Sequence, residues 1–283
     1  MSVSNDKESN DQAPENKESP GKKSVWKDND SIQKTFLVAL LLCIVCSVVV
    51  SFAAVQLKPA QERNEEQNFK RNILAAAGLN DESKSVEELF EKVQTRVVDL
   101  QTGKFTDELS ADEFDQRDAA KDPELSRNLT QEEDVAKIRR RENFAKVYLV
   151  TDDSGDIETI ILPIKGYGLW SVLYGFLALE GDFNTVVGLG YYEQGETAGL
   201  GGEVDNPRWK AKWPGKKIYD EQGNVDISLV KGTVEASDPD AEHKVDALSG
   251  ASLTSKGVQN MLRFWLGDNG YGPFLQHLQS GDA

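Results

Sequence analysis

Two short stretches hold the residue types that could do chemistry. The first is 246-DALSGASLT-254, where Asp246, Ser249, Ser252, Thr254 and Ser255 crowd one turn around Gly250 and Ala251. It runs straight into 256-KGVQNMLRFWL-266, which reads as a helix. A helix start exposes free N–H groups and the positive end of a dipole, so it favours an anion such as phosphate. Thr254 adds a hydroxyl, the group needed to form a phosphoester. The plainer reading is an N-cap, which needs only one Ser or Thr. Local chemistry leaves both open. The second stretch is 195-GETAGLGGEV-204, with Gly195, Gly199, Gly201 and Gly202 close together. Such a loop lets main chain approach a flat ligand, or it simply turns sharply.

Other familiar chemistry is missing from the sequence. There is no G-x-x-x-x-G-K-[ST] loop, no G-x-G-x-x-G after a strand and no G-x-S-x-G elbow to support a hydrolase. With only His243, His277, Cys43 and Cys46, a zinc site of the usual ligands is not expected, and no metal ligand is assigned. The net charge of −16, from 48 acidic and 32 basic residues, repels nucleic acid and excludes it as the main partner.

These stretches need a scaffold, and the chain supplies one in parts. Residues 1–34 are polar and read as a disordered tail. An uncharged run of 20 residues, 36–55, is long enough to cross a membrane as a helix. It lies too far from the N-terminus and is too long for a cleaved signal, so it reads as a retained anchor within 35–57. Five basic residues before it (Lys17, Lys22, Lys23, Lys27, Lys34) against four after it (Lys58, Arg63, Lys70, Arg71) barely favour an internal N-terminus. Ala39, Cys43, Ser47 and Ser51 form a small-residue stripe suited to helix packing, or a chance pattern in a membrane helix. Cys43 and Cys46 spell C-x-x-C, read as small membrane-helix residues rather than a redox pair.

Beyond the anchor, "ILAAAGL" ends a helix near Gly78. In 83–103, Val86, Leu89, Phe90, Val93, Val97 and Leu100 recur at helical spacing, with Gly103 as the stop. The region 58–140 is therefore expected to be a mainly helical lead-in, with acidic loops and short helices over 106–134. Arg139, Arg140 and Arg141 read as a solvated face or as partners of that acidic loop. From 141 onward strand-like runs dominate: "AKVYLV", "DIETIILPI", "LWSVLYGFLALE", "TVVGLGYYEQ" and "VDISLVKGTV". Strands in succession flanked by helices indicate an α+β domain with a largely antiparallel sheet, spanning 58–283.

The two stretches together carry a resemblance. Asp246, Ser249, Gly250, Ala251, Ser252 and Thr254 match a flavinylation motif, D-x-x-[ST]-G-A-[ST]-x-T. "GETAGLG" is similar to a second signature, E-T-P-G-L-G, with Ala198 in place of the usual Pro and a loop less stiffened at that point. With the anchor, residues 166–179 and "WPGKKIYDEQG", the chain from about 33 to 277 resembles the C subunit of the Na+-translocating NADH:quinone oxidoreductase, a family of covalent FMN carriers. The long tail of 1–34 departs from that family and has no assigned role.

The resemblance implies a single-pass protein of the bacterial inner membrane, its tail cytoplasmic and its flavin domain periplasmic. FMN would be attached by phosphoester to Thr254 by a dedicated flavin transferase, with Asp246 serving recognition by that enzyme. Ser249, Gly250, Ala251 and Ser252 would surround the phosphate, while Glu196, Thr197, Gly199, Leu200 and Gly201 would border the flavin, Leu200 against its face. Leu169, Trp170 and Tyr174 are further candidates for flavin packing. No catalytic residue is assigned: the chain is an electron carrier, and enzyme activity belongs to a complex with other membrane, flavin and iron–sulfur subunits. The alternatives are the G subunit of the homologous ferredoxin:NAD-type electron transport complex, an anchored ligand-binding module, and an anchored structural subunit with a capped helix at 249–254.

Overall fold

A computed structural model describes residues 32–81 and 83–283. The tail expected over 1–34 lies almost wholly outside them. Helix α1 (Ile32–Ala76) contains the apolar run, whose side chains are exposed from Phe36 through Val55, and it is long enough to cross a membrane. It closes as expected at Gly78, which takes a φ of 71°. The chain divides into one unit up to Gln61 and a second from Glu62 to Ala283.

The second unit is built on one antiparallel sheet. Its strands are β1 (Val93–Asp99), β2 (Lys104–Thr106), β5 (Phe144–Thr151), β6 (Ile157–Tyr167), β7 (Val172–Glu180) and β8 (Val186–Glu193), in the order β2-β1-β5-β6-β7-β8. Two small ribbons flank it: β3 (Ser126–Asn128) with β4 (Arg140–Glu142), and β9 (Ser228–Val230) with β10 (Lys244–Asp246). Both faces of the sheet are covered, which is why β5 to β7 read as continuous apolar runs rather than clean alternations. Leu149, Ile160, Leu162 and Leu177 face a core shared with Val258, Met261, Leu262 and Trp265 of α5 (Ser252–Leu266). Tyr148, Val150, Ile161 and Phe176 point the other way and pack with Ile73, Leu74 and Ala77 at the end of α1.

The segment 83–103 is not one helix. Only α2 (Val86–Phe90) is helical, started by a reciprocal Ser85–Glu88 capping box. From Val93 the chain becomes β1 and pairs with β5 along seven residues, Val93↔Val150 to Asp99↔Phe144. Thr95, Val97 and Val98 are β-branched and suit a strand, and the ladder with β5 outweighs a helical spacing that six apolar residues satisfied by coincidence. The lead-in 58–140 is thus not mainly helical. It gives β1 and β2 to the sheet, and among the described residues its only helix after α2 is the four-residue α3 (Gln116–Ala119). The arginine run also departs from expectation. Arg141 is buried and donates to the Asn269 carbonyl, while Arg140 holds Ser126 and Asn128 across the ribbon. A closing helix, α6 (Gly272–Ser280), follows α5 and was not expected from the sequence.

Candidate functional site

The strand β8 delivers the glycine-rich loop and β10 delivers the hydroxyl-rich turn, and the fold brings the two together. Thr197 closes the first loop: its carbonyl accepts the N–H groups of Leu200 and Gly202. Gly199 sits at a φ of 75°, a conformation that favours glycine. A 3-10 turn, Gly201–Asp205, then leads into α4 (Pro207–Lys210). On the other side β10 ends at Asp246, Gly250 turns with a φ of 73°, and α5 starts at Ser252.

The start of α5 lacks the cap that its composition offered. Its N-cap residue is Ala251, and no side chain caps it. Ser255 is spent elsewhere, accepting from the Leu248 N–H and donating to the Ala251 carbonyl. Thr254, in the first turn, does not reach back to the cap position either. Its hydroxyl donates to Glu196 Oε2 at 2.7 Å, joining the two motifs across 58 residues of chain. Both residues are buried, Thr254 with 1% of its surface exposed.

Glu196 is held from its other oxygen. Oε1 accepts the N–H groups of Leu169, Trp170 and Ser171 at 3.0, 2.9 and 3.2 Å. Burial works against its ionisation, but the bonds from Trp170, Thr254, Leu169 and Ser171 outweigh it and hold the carboxyl below its ordinary pKa. Two glycines make the space. A Cβ on Gly168 would lie 2.6 Å from Glu196 Oε1, and one on Gly201 would lie 2.6 Å from both Glu196 Oε2 and Thr254 Oγ1.

Beside this buried pair runs an open groove of about 680 Å³, lined by Gly199, Ser249, Gly250 and Ser252 and by the cations Arg208, Lys212 and Lys231. Asp246 borders it and is anchored from two sides, by the Lys212 ammonium and the Val234 N–H. Burial raises its pKa, yet the Lys212 and Val234 bonds dominate and keep it ionised. Its carbonyl takes the indole N–H of Trp209 at 2.9 Å. Leu200 is exposed and stands against Gly250, with 3.2 Å between its Cδ2 and a Cβ placed there.

Of the residues singled out from sequence, Glu196, Gly201 and Thr254 form the buried centre, while Ser249, Gly250, Ser252, Gly199 and Asp246 line the groove. Leu169 and Trp170 are exposed and touch the site through their backbone N–H groups. Tyr174 lies apart, under the Arg117 guanidinium at 4.0 Å and beside Tyr192. Lys212, Trp209 and the Leu169–Ser171 backbone were missed. Only the lysine-rich composition of 208–217 hinted at the first of them.

The arrangement suits a flavin phosphate. The groove is of ligand-site size, is lined by Arg208, Lys212 and Lys231 together with the carboxylates Glu203 and Asp246, and reaches Ser252 at the uncapped start of α5, while Thr254 is buried outside its lining. Comparison with known proteins agrees. Residues 168–267 match the FMN-binding domain family. The chain is similar to the C subunit of the Na(+)-translocating NADH-quinone reductase of Pseudomonas aeruginosa, at 52% identity over 90% of this chain and 99% of the relative. It is similar to the protein of that name from Vibrio alginolyticus at 51%, over 90% and 98%. Among solved structures, Shewanella oneidensis NqrC superposes with a TM-score of 0.70 at 40% identity, covering 78% of this chain and 99% of that one. The C subunit of the Na(+)-translocating NADH-quinone reductase from Parabacteroides distasonis gives 0.59 at 29%, covering 77% and 96%.

Proposed function

The chain belongs to the family formed by the C subunits of Na(+)-translocating NADH-quinone reductases, and from that membership we propose that it carries FMN covalently, by a phosphoester on Thr254 Oγ1. It is an electron-carrier subunit of a multisubunit oxidoreductase, and the observation that carries the covalent reading is the Thr254–Glu196 contact. A buried hydroxyl in the first turn of an uncapped helix, bonded to Glu196 rather than to the helix start, supports attachment over capping.

In this reading the phosphate lies at the α5 N-terminus. The N–H groups of Ser252, Leu253 and Thr254 and the helix dipole favour its charge. Ser249 and Ser252 border it in the groove, and Arg208 and Lys231 offset its charge, Lys212 being paired with Asp246. Leu200, exposed beside Gly250, offers the ring an apolar face. Bound FMN supplies reversible electron transfer, while the protein sets its position and electrostatics. Because Thr254 is covered by Gly201, attachment requires the 199–202 loop to lift, and Gly199 is the place where it turns. Asp246, at the groove's edge, is where the flavin transferase reads the motif.

Residues 35–57 anchor the chain in the inner membrane, with the tail of 1–34 inside and the domain of 58–283 in the periplasm. A covalent tether keeps the flavin from being lost there. Electrons from NADH pass through it towards quinone, and neighbouring subunits hold the other centres. The test is to co-express the chain with its flavin transferase, denature it and view the gel band under ultraviolet light. The wild type is expected to fluoresce and Thr254→Ala to be dark. A fluorescent Thr254→Ala band would move the site, and a dark wild-type band would end the covalent reading.

A further inference from the structure

The two oxygens of Glu196 have separate partners. Oε1 is fixed by three backbone N–H groups from Leu169, Trp170 and Ser171, so the carboxylate cannot swing. Oε2 is turned to the Thr254 hydroxyl at 2.7 Å. Gly168 and Gly201 leave no side chain to crowd the pair. Thr254 must lose its proton as it attacks phosphorus, and a carboxylate at hydrogen-bond distance from the attacking hydroxyl is the arrangement by which phosphoryl transfer to an alcohol is assisted. Resting on the reading that Thr254 carries FMN, we propose that Glu196 is the general base of the attachment reaction, a catalytic residue supplied by the acceptor chain itself.

Atoms and electrons balance in this step. FMN alone has no good leaving group, so the donor is a flavin nucleotide with a pyrophosphate, flavin adenine dinucleotide, presented by the transferase. Thr254 Oγ1 attacks the flavin-side phosphorus. The Oγ1–P bond forms, the bridging P–O bond breaks, and AMP leaves with that electron pair. The Thr254 proton passes to Glu196 Oε2 and on to solvent. Nothing is oxidised or reduced.

A purely structural role for Glu196, tying 169–171 to α5, gives a different result in one variant. In Glu196→Gln the amide oxygen still accepts the three N–H groups and the amide nitrogen faces Thr254. The tie survives, but the proton acceptor is gone. The experiment uses the full chain in detergent with purified flavin transferase and flavin adenine dinucleotide. Covalent flavin is followed by intact mass, with a melting curve in parallel. Glu196→Gln is expected to lower kcat for labelling by about 100-fold or more, with KM for the chain and the melting temperature unchanged. Labelling of Glu196→Gln at the wild-type kcat overturns the proposal. If Glu196→Gln loses its cooperative melt, Glu196→Asp decides: its carboxylate stops short of Thr254, so a lower kcat for labelling with the wild-type melting curve and KM supports the proposal, and the wild-type kcat, or a slowing that only follows a loss of the melt, overturns it. A wild type that takes up no covalent flavin sinks the attachment reading, and this proposal with it. Labelling of Thr254→Ala does the same for the site.

Discussion

Replacing Gly201 by Ala adds one methyl group at the centre of the site. Its Cβ would stand 2.6 Å from Thr254 Oγ1, 2.6 Å from Glu196 Oε2 and 3.0 Å from Glu196 Cβ. Gly201 is not at a positive φ, so the backbone itself tolerates Ala and the effect is steric. The nearest atoms are side-chain ends, but neither is free to yield. Glu196 is pinned by three N–H groups and Thr254 sits on the first turn of α5. Either the methyl is forced in, at about 1–3 kcal/mol for overpacking, or the Thr254–Glu196 bond breaks, at about 1.5–3 kcal/mol for a bond to a charged group. These are alternatives and the cheaper one prevails, so the cost is about 1–3 kcal/mol. In a domain of this size that lowers Tm by roughly 2–12 °C. The matched control is Gly190→Ala in β8, whose Cβ meets nothing within 4 Å. Calorimetry of both variants, with covalent flavin uptake measured alongside, reads the result. A Gly201→Ala chain that melts with Gly190→Ala and labels at the wild-type rate refutes the packed Gly201–Thr254–Glu196 centre.

Three further outcomes follow from the same geometry. Lys165→Met leaves Glu142, fully buried, with only the Gln116 amide, and thermal unfolding should show a loss of about 3–5 kcal/mol that Lys165→Met/Glu142→Gln largely restores. Glu196 has a folded pKa below its unfolded value of about 4.3, so its contribution is complete above that pH and is lost as pH falls through the folded value. Acid titration should show a shallower loss of stability below about pH 4.3 in Glu196→Gln than in the wild type. Leu200→Ala removes an exposed side chain, so urea unfolding should change by no more than about 0.5 kcal/mol, while quenching of flavin fluorescence by iodide should increase as the ring loses its cover.

What could be read from the chain depended on how far its signals reached. The sheet strands β5 to β8 were legible because long apolar runs are unambiguous when both faces are covered. The motif at 246–254 was legible because its residue types are spaced within one turn. Its local chemistry left a cap and an anion site both open, and the contact of Thr254 with Glu196, which no helix cap involves, lies in another loop. Whether Thr254 caps α5 or faces a carboxylate depends on where β8 leaves the 195–204 loop, which no local pattern states. The same is true of Lys212, whose role appears only once β10 sets Asp246 beside it. β1 was misread for the opposite reason. Its valines fit a helical period locally, and only the pairing with β5 shows that they belong to a sheet.

The central claim is that Thr254 Oγ1 carries the flavin phosphate. Trypsin cuts after Lys244 and Lys256, isolating 245-VDALSGASLTSK-256, which holds Ser249, Ser252, Thr254 and Ser255 together. Fragment-ion mass spectrometry of that peptide, from chain matured with its flavin transferase, distinguishes the four hydroxyls. One FMN phosphoryl group per peptide, confined to Thr254, is the expected result. An unmodified peptide, or the group on Ser249, Ser252 or Ser255, contradicts it.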